Sequence, residues 1–403
     1  MTNVSGTGIG GGVWAEISGQ ARSVETLQRA VAAAHPDAEH REWFTNSWVI
    51  TGPPGSGRSN CAYAFAAALL CPNGGCGSCP SCQQVAARTH PDLTAVVTDT
   101  AIIDIETART LVERAWLAPT VSDYRVIVVE DADRMVERTS NTLLKAIEEP
   151  AATTVWVLCA PSEADLLPTI RSRVRVVSLT TPSPEEVAQL LVWRHGCDPE
   201  RALRAAEEAQ SHIGMAARLV TTPEAWSRRD RALQGVLTLQ GVGDAARKAA
   251  DWVAIAEEDG KAAAADRDAK ERAETFRTLG LEPDAAIPRQ LRGIFRELET
   301  HQKRRAKRAT LDGIDRILTD VSSLWRDVLV TALGASERLI NERRRPEIEG
   351  VAASSSPAHI LASIEAVAVA RQRLAANVPP ALALEELLVG TVIGHRDPSR
   401  TTS

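Results

Sequence analysis

Aromatic side chains are scarce, at 4% of 403 residues, while alanine-rich stretches recur. That balance disfavours a β-sandwich and predicts helices. No apolar run reaches the ~18–20 residues a membrane-spanning helix needs. The longest, residues 61–71, falls short, so no membrane is expected as a partner. A basic excess is missing too: 46 Lys and Arg stand against 52 Asp and Glu, for a net charge of −6. Nucleic-acid contact would therefore have to come from a local patch. The chain opens on Gly, Ser and Thr, without the basic-then-apolar layout of a secretory leader. A cytoplasmic location is expected, with the seven cysteines as reduced thiols or metal ligands rather than disulfides.

The length suggests two or three domains. Residues 1–12 read as a disordered glycine tail. Its Gly6, Gly8 and Gly11 have the spacing of a dinucleotide loop, but no strand precedes them. From Trp14 the pattern turns helical, with Val24, Leu27 and Val31 on one face. Short apolar strands are predicted at 48–50, 93–97, 125–129 and 154–158. They alternate with helices at 60–70, 105–117 and 141–149. The expected fold is an α/β phosphate-loop domain over 13–178, its parallel sheet covered on both faces. The turn-rich stretch 180–184 marks a boundary. A small helical lid is expected over 179–224 and an all-α domain over 225–394. Within the latter, an insertion at about 254–310 includes residues 261–275, nearly without large apolar side chains. That stretch reads as an exposed helix or a mobile insertion. Residues 395–403 form a second tail.

Residues 52–59 fit G-x-x-x-x-G-K-[ST] except that Arg58 replaces lysine. Gly52, Gly55 and Gly57 would let backbone N–H groups surround a phosphate at a helix N-terminus, and Ser59 would meet Mg²⁺. Arginine keeps the charge but is planar and bulkier. The alternative is a Gly/Pro turn that binds nothing. After the apolar strand at 125–129 come Glu130 and Asp131. Hydrolysing phosphate-loop enzymes keep Asp for Mg²⁺ and then Glu for water. Here the order is inverted, displacing each carboxylate by a methylene where positioning supplies most of the catalysis. ATP with Mg²⁺ is a plausible ligand; efficient hydrolysis is not expected.

Cys71, Cys76, Cys79 and Cys82 fall within twelve residues, separated by Gly and Pro. Four soft ligands on a tight loop suit a closed, structural Zn²⁺ site. Disulfides or an iron–sulfur cluster are the rival readings. Cys61, Cys159 and Cys197 lie in apolar stretches and read as core packing.

Several words follow in a fixed order: Gly19-Gln20, the phosphate loop, the four cysteines and His90-Pro91-Asp92. Then come Asn141-x-Leu143-Leu144-Lys145-x2-Glu148-Glu149-Pro150 and residues 167–173, Leu-Pro-Thr-Ile-Arg-Ser-Arg. With these words the sequence resembles the bacterial clamp-loader AAA+ subunits. Residues 325–327 and 377–388 are similar to that family's helical collar domain. The resemblance implies a heteropentamer with tau/gamma and delta subunits that places a ring-shaped sliding clamp on primed DNA. It also implies that Arg173 reaches into a neighbouring subunit's ATP site, as a stator subunit's arginine does. Val174 departs from the family's Ser-Arg-Cys. The alternative for Arg173 is a surface arginine after a strand-capping turn. Ala160-Pro161 occupies the place of the family's γ-phosphate-sensing threonine pair. Together with Arg58 and the inverted acids, this favours a stator over the alternative, an active tau/gamma-type ATPase or another DNA-processing AAA+ motor. Arg218 resembles a lid-helix phosphate neighbour, with an exposed helical arginine as the alternative. The basic run from Lys303 to Arg308 reads as a solvated helix face ahead of a nucleic-acid contact, since no aromatic is interleaved. Arg343-Arg344-Arg345 reads the same way, and any DNA contact from the α/β domain would come from Arg109.

Overall fold

The computed structural model describes residues 11–35, 37–97, 102–279, 281–282, 287–335 and 339–393. Most of the first tail and all of the last thus lie outside the described residues. The chain divides into two compact units, residues 1–221 and 222–403.

The first unit is a five-stranded, wholly parallel sheet. Its strands are β1 (Ser47–Thr51), β2 (Leu93–Val96), β3 (Arg125–Val129), β4 (Thr154–Ala160) and β5 (Arg175–Ser178). They lie in the order β2-β3-β4-β1-β5. Successive side chains on a strand point to opposite faces, and two cores divide accordingly. Trp48, Ile50, Val126, Val128, Val155, Val157 and Cys159 face one side. There they meet α1 (Ala21–Ala34) and α2 (Arg58–Leu70). Val49, Ile127, Val129, Trp156, Leu158 and Ala160 face the other. They meet α4 (Ile105–Ala115) and α5 (Glu137–Glu148), the short α3 (Pro80–Ala86) having followed α2. Burial on both faces is why these strands read as unbroken apolar runs. After β4 come α6 (Pro168–Arg171) and β5, then α7 (Pro184–His195), α8 (Pro199–Glu208) and α9 (Ile213–Thr221).

Some expectations need correction. The segment around Trp14 is a 3-10 turn, Gly12–Glu16, and α1 starts only at Ala21. Gly12 is no loose tail: Val13 N–H donates to the Gly75 carbonyl at 3.0 Å, bringing the segment against the cysteine loop. Cys61 and Cys159 are wholly buried, but Cys197 is half-exposed and packs in neither sheet core.

His90-Pro91-Asp92 has a physical role. Asp92, wholly buried, accepts from the N–H groups of Thr120, Val121 and Ser122 at 2.6, 2.8 and 3.0 Å. Arg125 lies 3.4 Å away and also donates to the carbonyls of Leu117 and Ala118. Burial pushes the Asp92 carboxyl upward, but the three N–H groups and Arg125 outweigh it and hold it below its usual value.

The second unit is helical. It contains α10 (Pro223–Leu237), α11 (Val242–Thr278), α12 (Arg292–Ala332), α13 (Arg345–Ser354), α14 (Pro357–Ala375) and α15 (Pro380–Ile393). Residues 261–275 belong to a 37-residue helix, α11, lying along the 41-residue α12. Small residues let the two backbones approach: a Cβ on Gly313 would stand 2.9 Å from Ala256, and one on Gly260 3.1 Å from Ala309. A buried network pins α12 to its surroundings. Arg229 meets Asp320 at 2.9 Å and Asn341 at 2.6 Å, while wholly buried Asp327 accepts from the N–H groups of Ile340 and Asn341. Among the described residues, no helix is long and apolar enough to cross a membrane.

A carboxylate held below its unfolded pKa contributes stability above ~pH 4 that is lost as the pH falls. Asp92→Asn should therefore cost about 2–4 kcal/mol at pH 7, and the variant should lose less stability than the parent between pH 5 and pH 3. Urea midpoints measured across that range check this; equal midpoints at pH 7 would contradict it.

Candidate functional site

The ends of β1, β3 and β4 carry three of the sequence-predicted features side by side. The loop after β1 keeps its glycines where the backbone requires them, with φ of +82° at Gly55 and +90° at Gly57. Only glycine adopts such angles without strain. Gly55 has a second reason: a Cβ there would stand 2.3 Å from the His212 ring. His212 directly precedes α9, and Ile213 N–H donates to the Gly55 carbonyl at 3.2 Å. The loop is thus packed under the start of α9. Arg58, at the first position of α2, folds back: its Nη1 donates to the Gly52 carbonyl at 2.6 Å. Ser59 is half-buried beside it. Ser56 Oγ is buried and makes no hydrogen bond among the described residues.

The acids after β3 also have partners. Tyr63, from α2, donates its hydroxyl to Glu130 at 2.7 Å. Arg88 approaches the same oxygen at 3.0 Å, its guanidinium 4.7 Å above the Tyr63 ring. The Glu130 side chain is only 14% exposed. Burial, reinforced by the Glu130 charge, pushes the Tyr63 hydroxyl up. Asp131 lies 3.7 Å from Arg134. Ala160 ends β4 and Pro161 follows, its carbonyl accepting from Gly52 N–H at 3.2 Å. The loop glycines and Ser59 are as a nucleotide needs, but the cation and the first acid are turned onto this chain's own atoms. Arg218 is half-buried in the last turn of α9.

Arg173 sits elsewhere, just past α6 and before β5. It is exposed, and it meets Glu148, the last residue of α5, at 3.1 Å. It also donates to the Thr169 carbonyl at 2.9 Å and to Ser172 Oγ at 3.0 Å. Its Nη2 donates to the second Glu148 oxygen at 3.1 Å, and a solvent-screened pair of this kind contributes about 1 kcal/mol. Arg109 is exposed on α4.

The four predicted cysteines are brought together completely. Cys71 closes α2, and Cys79 caps α3 by accepting from Cys82 N–H. All four Sγ atoms lie within 4.8 Å of one another, with Cys71–Cys79 at 3.5 Å and Cys71–Cys76 at 3.8 Å. No disulfide forms, since a bond would need ~2.05 Å. Tetrahedral thiolates at ~2.3 Å from one ion have edges of about 3.8 Å, so the donor set suits a single metal. It is too close-set for thiolates bound to four separate irons. Backbone N–H groups support the sulfurs: Asn73 on Cys71 at 3.3 Å and Gly77 on Cys82 at 3.4 Å. The N–H groups of Ser78 and Cys79 bring the Cys76 thiol down to about 6.

Sequence reasoning missed Tyr63, Arg88 and His212, and named Glu148 only as part of a family word. Only the positive φ of Arg88, +60°, marks any of them as locally unusual, and a sequence does not display it.

The chain matches two family profiles. One, described as "DNA polymerase III, delta subunit", covers residues 27–183, and one described as "DNA polymerase III, delta subunit, C terminal" covers residues 306–391. Among individual proteins it is 34% identical to the DNA polymerase III subunit delta' of Pseudomonas aeruginosa, over 42% of this chain and 52% of that one. It is 30% identical to the Escherichia coli subunit delta', over 47% and 58%. It is also 30% identical to the gamma/tau subunit of Mycobacterium tuberculosis, over 44% and 30%. The matched region thus spans about half the length of these delta' relatives and less of gamma/tau.

Gly55→Ala should lower stability by about 1–3 kcal/mol through the clash with His212 and the strained φ. His212→Ala in the same background should recover part of that loss. Thermal melts of the single and double variants check this, and a neutral Gly55→Ala would show that the ring does not rest on the loop.

Proposed function

We propose that this chain, which belongs to the DNA polymerase III delta-subunit family, is the delta-prime stator of a clamp loader. Its partners in this reading are tau/gamma and delta subunits in a heteropentamer, with the sliding clamp and primed DNA met through that complex in the cytoplasm. Arg173 is supplied to a neighbouring subunit's ATP site, where a guanidinium arriving in trans stabilises charge on the transferring phosphoryl group. The chain itself turns over little or no ATP.

One observation carries the reading: the charged groups of the chain's own phosphate-loop end are engaged internally, while Arg173 is exposed and weakly held. A motor subunit would need the opposite arrangement. The second reading, an active gamma/tau-type ATPase, draws on the relatives of that name. It requires Arg58 and Glu130 to leave their present partners.

In this reading Cys71, Cys76, Cys79 and Cys82 hold one Zn²⁺. Four thiolates leave no open position, so when bound the ion would fix the loop between α2 and α3 and take no part in chemistry.

Two measurements test the proposal. In the assembled loader, Arg173→Ala should lower DNA-stimulated ATP hydrolysis about tenfold or more, while Arg58→Ala should leave the rate unchanged. Steady turnover by the isolated chain, lost on Arg58→Ala, would support the motor reading instead. Elemental analysis should find about one zinc per chain and none in Cys71→Ser/Cys79→Ser, which should also melt at a lower temperature. A metal-free native chain of equal stability would remove the zinc assignment.

A further inference from the structure

The fold gathers a basic surface that the net charge of −6 conceals. Residues 289–308 contain eight basic and two acidic side chains. They run through the 3-10 turn Arg289–Leu291 into the first half of α12. At 3.6 residues per turn, Arg292, Arg296, Lys303 and Lys307 fall within about 60° of arc, with Arg304 at its flank. All five are exposed, and among the described residues none of them has an ion pair.

The rest of this half-helix shows that the exposure is selective. Phe295 turns toward α11 and packs on Phe276 at 4.9 Å. Arg305 also turns to α11, where it pairs with Asp268 and Glu271. Ala309 and Gly313 seat the close helix–helix contact. That face lies about a third of a turn from the basic arc. Arg308 is taken by Asp312 at 2.9 Å. Glu299, beside the arc, stands 3.9 Å from Arg272 on α11. Among the described residues, Arg305 and Arg308 are paired with acids, while the five cations of the stripe and its flank share one side.

We propose that this stripe is an auxiliary binding site for the phosphate backbone of duplex DNA. From Arg292 to Lys307 it extends about 22 Å at 1.5 Å per residue, the rise of roughly six base pairs at 3.4 Å each. No aromatic side chain lies in the arc to stack an unpaired base, as single-strand binding uses. No apolar strip adjoins it for a membrane surface. Cations on a rigid helix offer contacts to phosphate and no readout of bases, so binding is independent of sequence. The family reading enters only in choosing DNA as the polyanion.

The test uses the full chain and a fluorescent 20-base-pair duplex, with anisotropy read from 50 to 200 mM salt. Arg296→Glu/Lys303→Glu/Lys307→Glu should weaken binding about tenfold or more and flatten the logarithmic salt slope by about 3, at ~0.9 per phosphate contact. The neutral set Arg296→Gln/Lys303→Gln/Lys307→Gln should do the same with little risk to the helix. Three reversals off the stripe, Arg247→Glu/Lys261→Glu/Arg343→Glu, should leave the slope unchanged. Unaltered binding in both stripe variants, or an equal loss in the off-stripe control, overturns the site. Tighter binding of a single strand of the same length, or capture by phosphatidylserine vesicles but not duplex, overturns the choice of duplex DNA. Because no other subunit is present, failure here leaves the Arg173 reading standing, and the converse also holds.

Discussion

The charge of Glu130 constrains the whole phosphate-loop end of the sheet. A carboxylate only 14% exposed needs hydrogen-bonding partners to replace the water it has lost. Tyr63 and Arg88 provide them, one from α2 and one from the loop before β2. That arrangement joins the phosphate-loop helix to the acid-bearing strand without any bound ligand. Arg58 closes the same region from the other side through the Gly52 carbonyl. Groups that a motor would turn toward phosphate and metal here hold the protein's own elements together.

Magnitudes separate this end from Arg173. Breaking a well-buried, hydrogen-bonded charge pair costs about 3–5 kcal/mol, whereas a solvent-exposed pair contributes about 0–1. Glu130 approaches the first case, although its partner Arg88 is itself 42% exposed and part of the cost is screened. Arg173 with Glu148 belongs to the second. On these magnitudes the contacts of Arg173 cost less to exchange than those of Glu130. The cysteine cluster is independent of both. It organises the loop between α2 and α3 and, through Gly75, the turn at residues 12–16.

Much of the α/β unit was legible because burial on both faces leaves long apolar strands between turns. β1, β3 and β4 lie where those runs predict, and the cysteine spacing foretold a cluster that closes. β5 went unforeseen because Arg175-Val176-Val177-Ser178 is a short edge strand without a run. α5 begins at Glu137, four residues before its apolar period becomes visible. In the helical unit, residues 261–275 lacked the large apolar side chains expected of core. Just before that stretch α11 and α12 approach through Ala256, Gly260, Ala309 and Gly313, and packing between small residues leaves no hydrophobic signature. The partners of Glu130 and Gly55 come from distant segments, and no local pattern marks them.

The central claim is that this chain satisfies its phosphate-loop charges internally. The most direct measurement is calorimetric titration of the isolated protein with Mg²⁺ and a non-hydrolysable ATP analogue. The account predicts no saturable binding below about 1 mM, an affinity worth only ~4 kcal/mol. A micromolar, stoichiometric complex abolished by Arg58→Ala would contradict it.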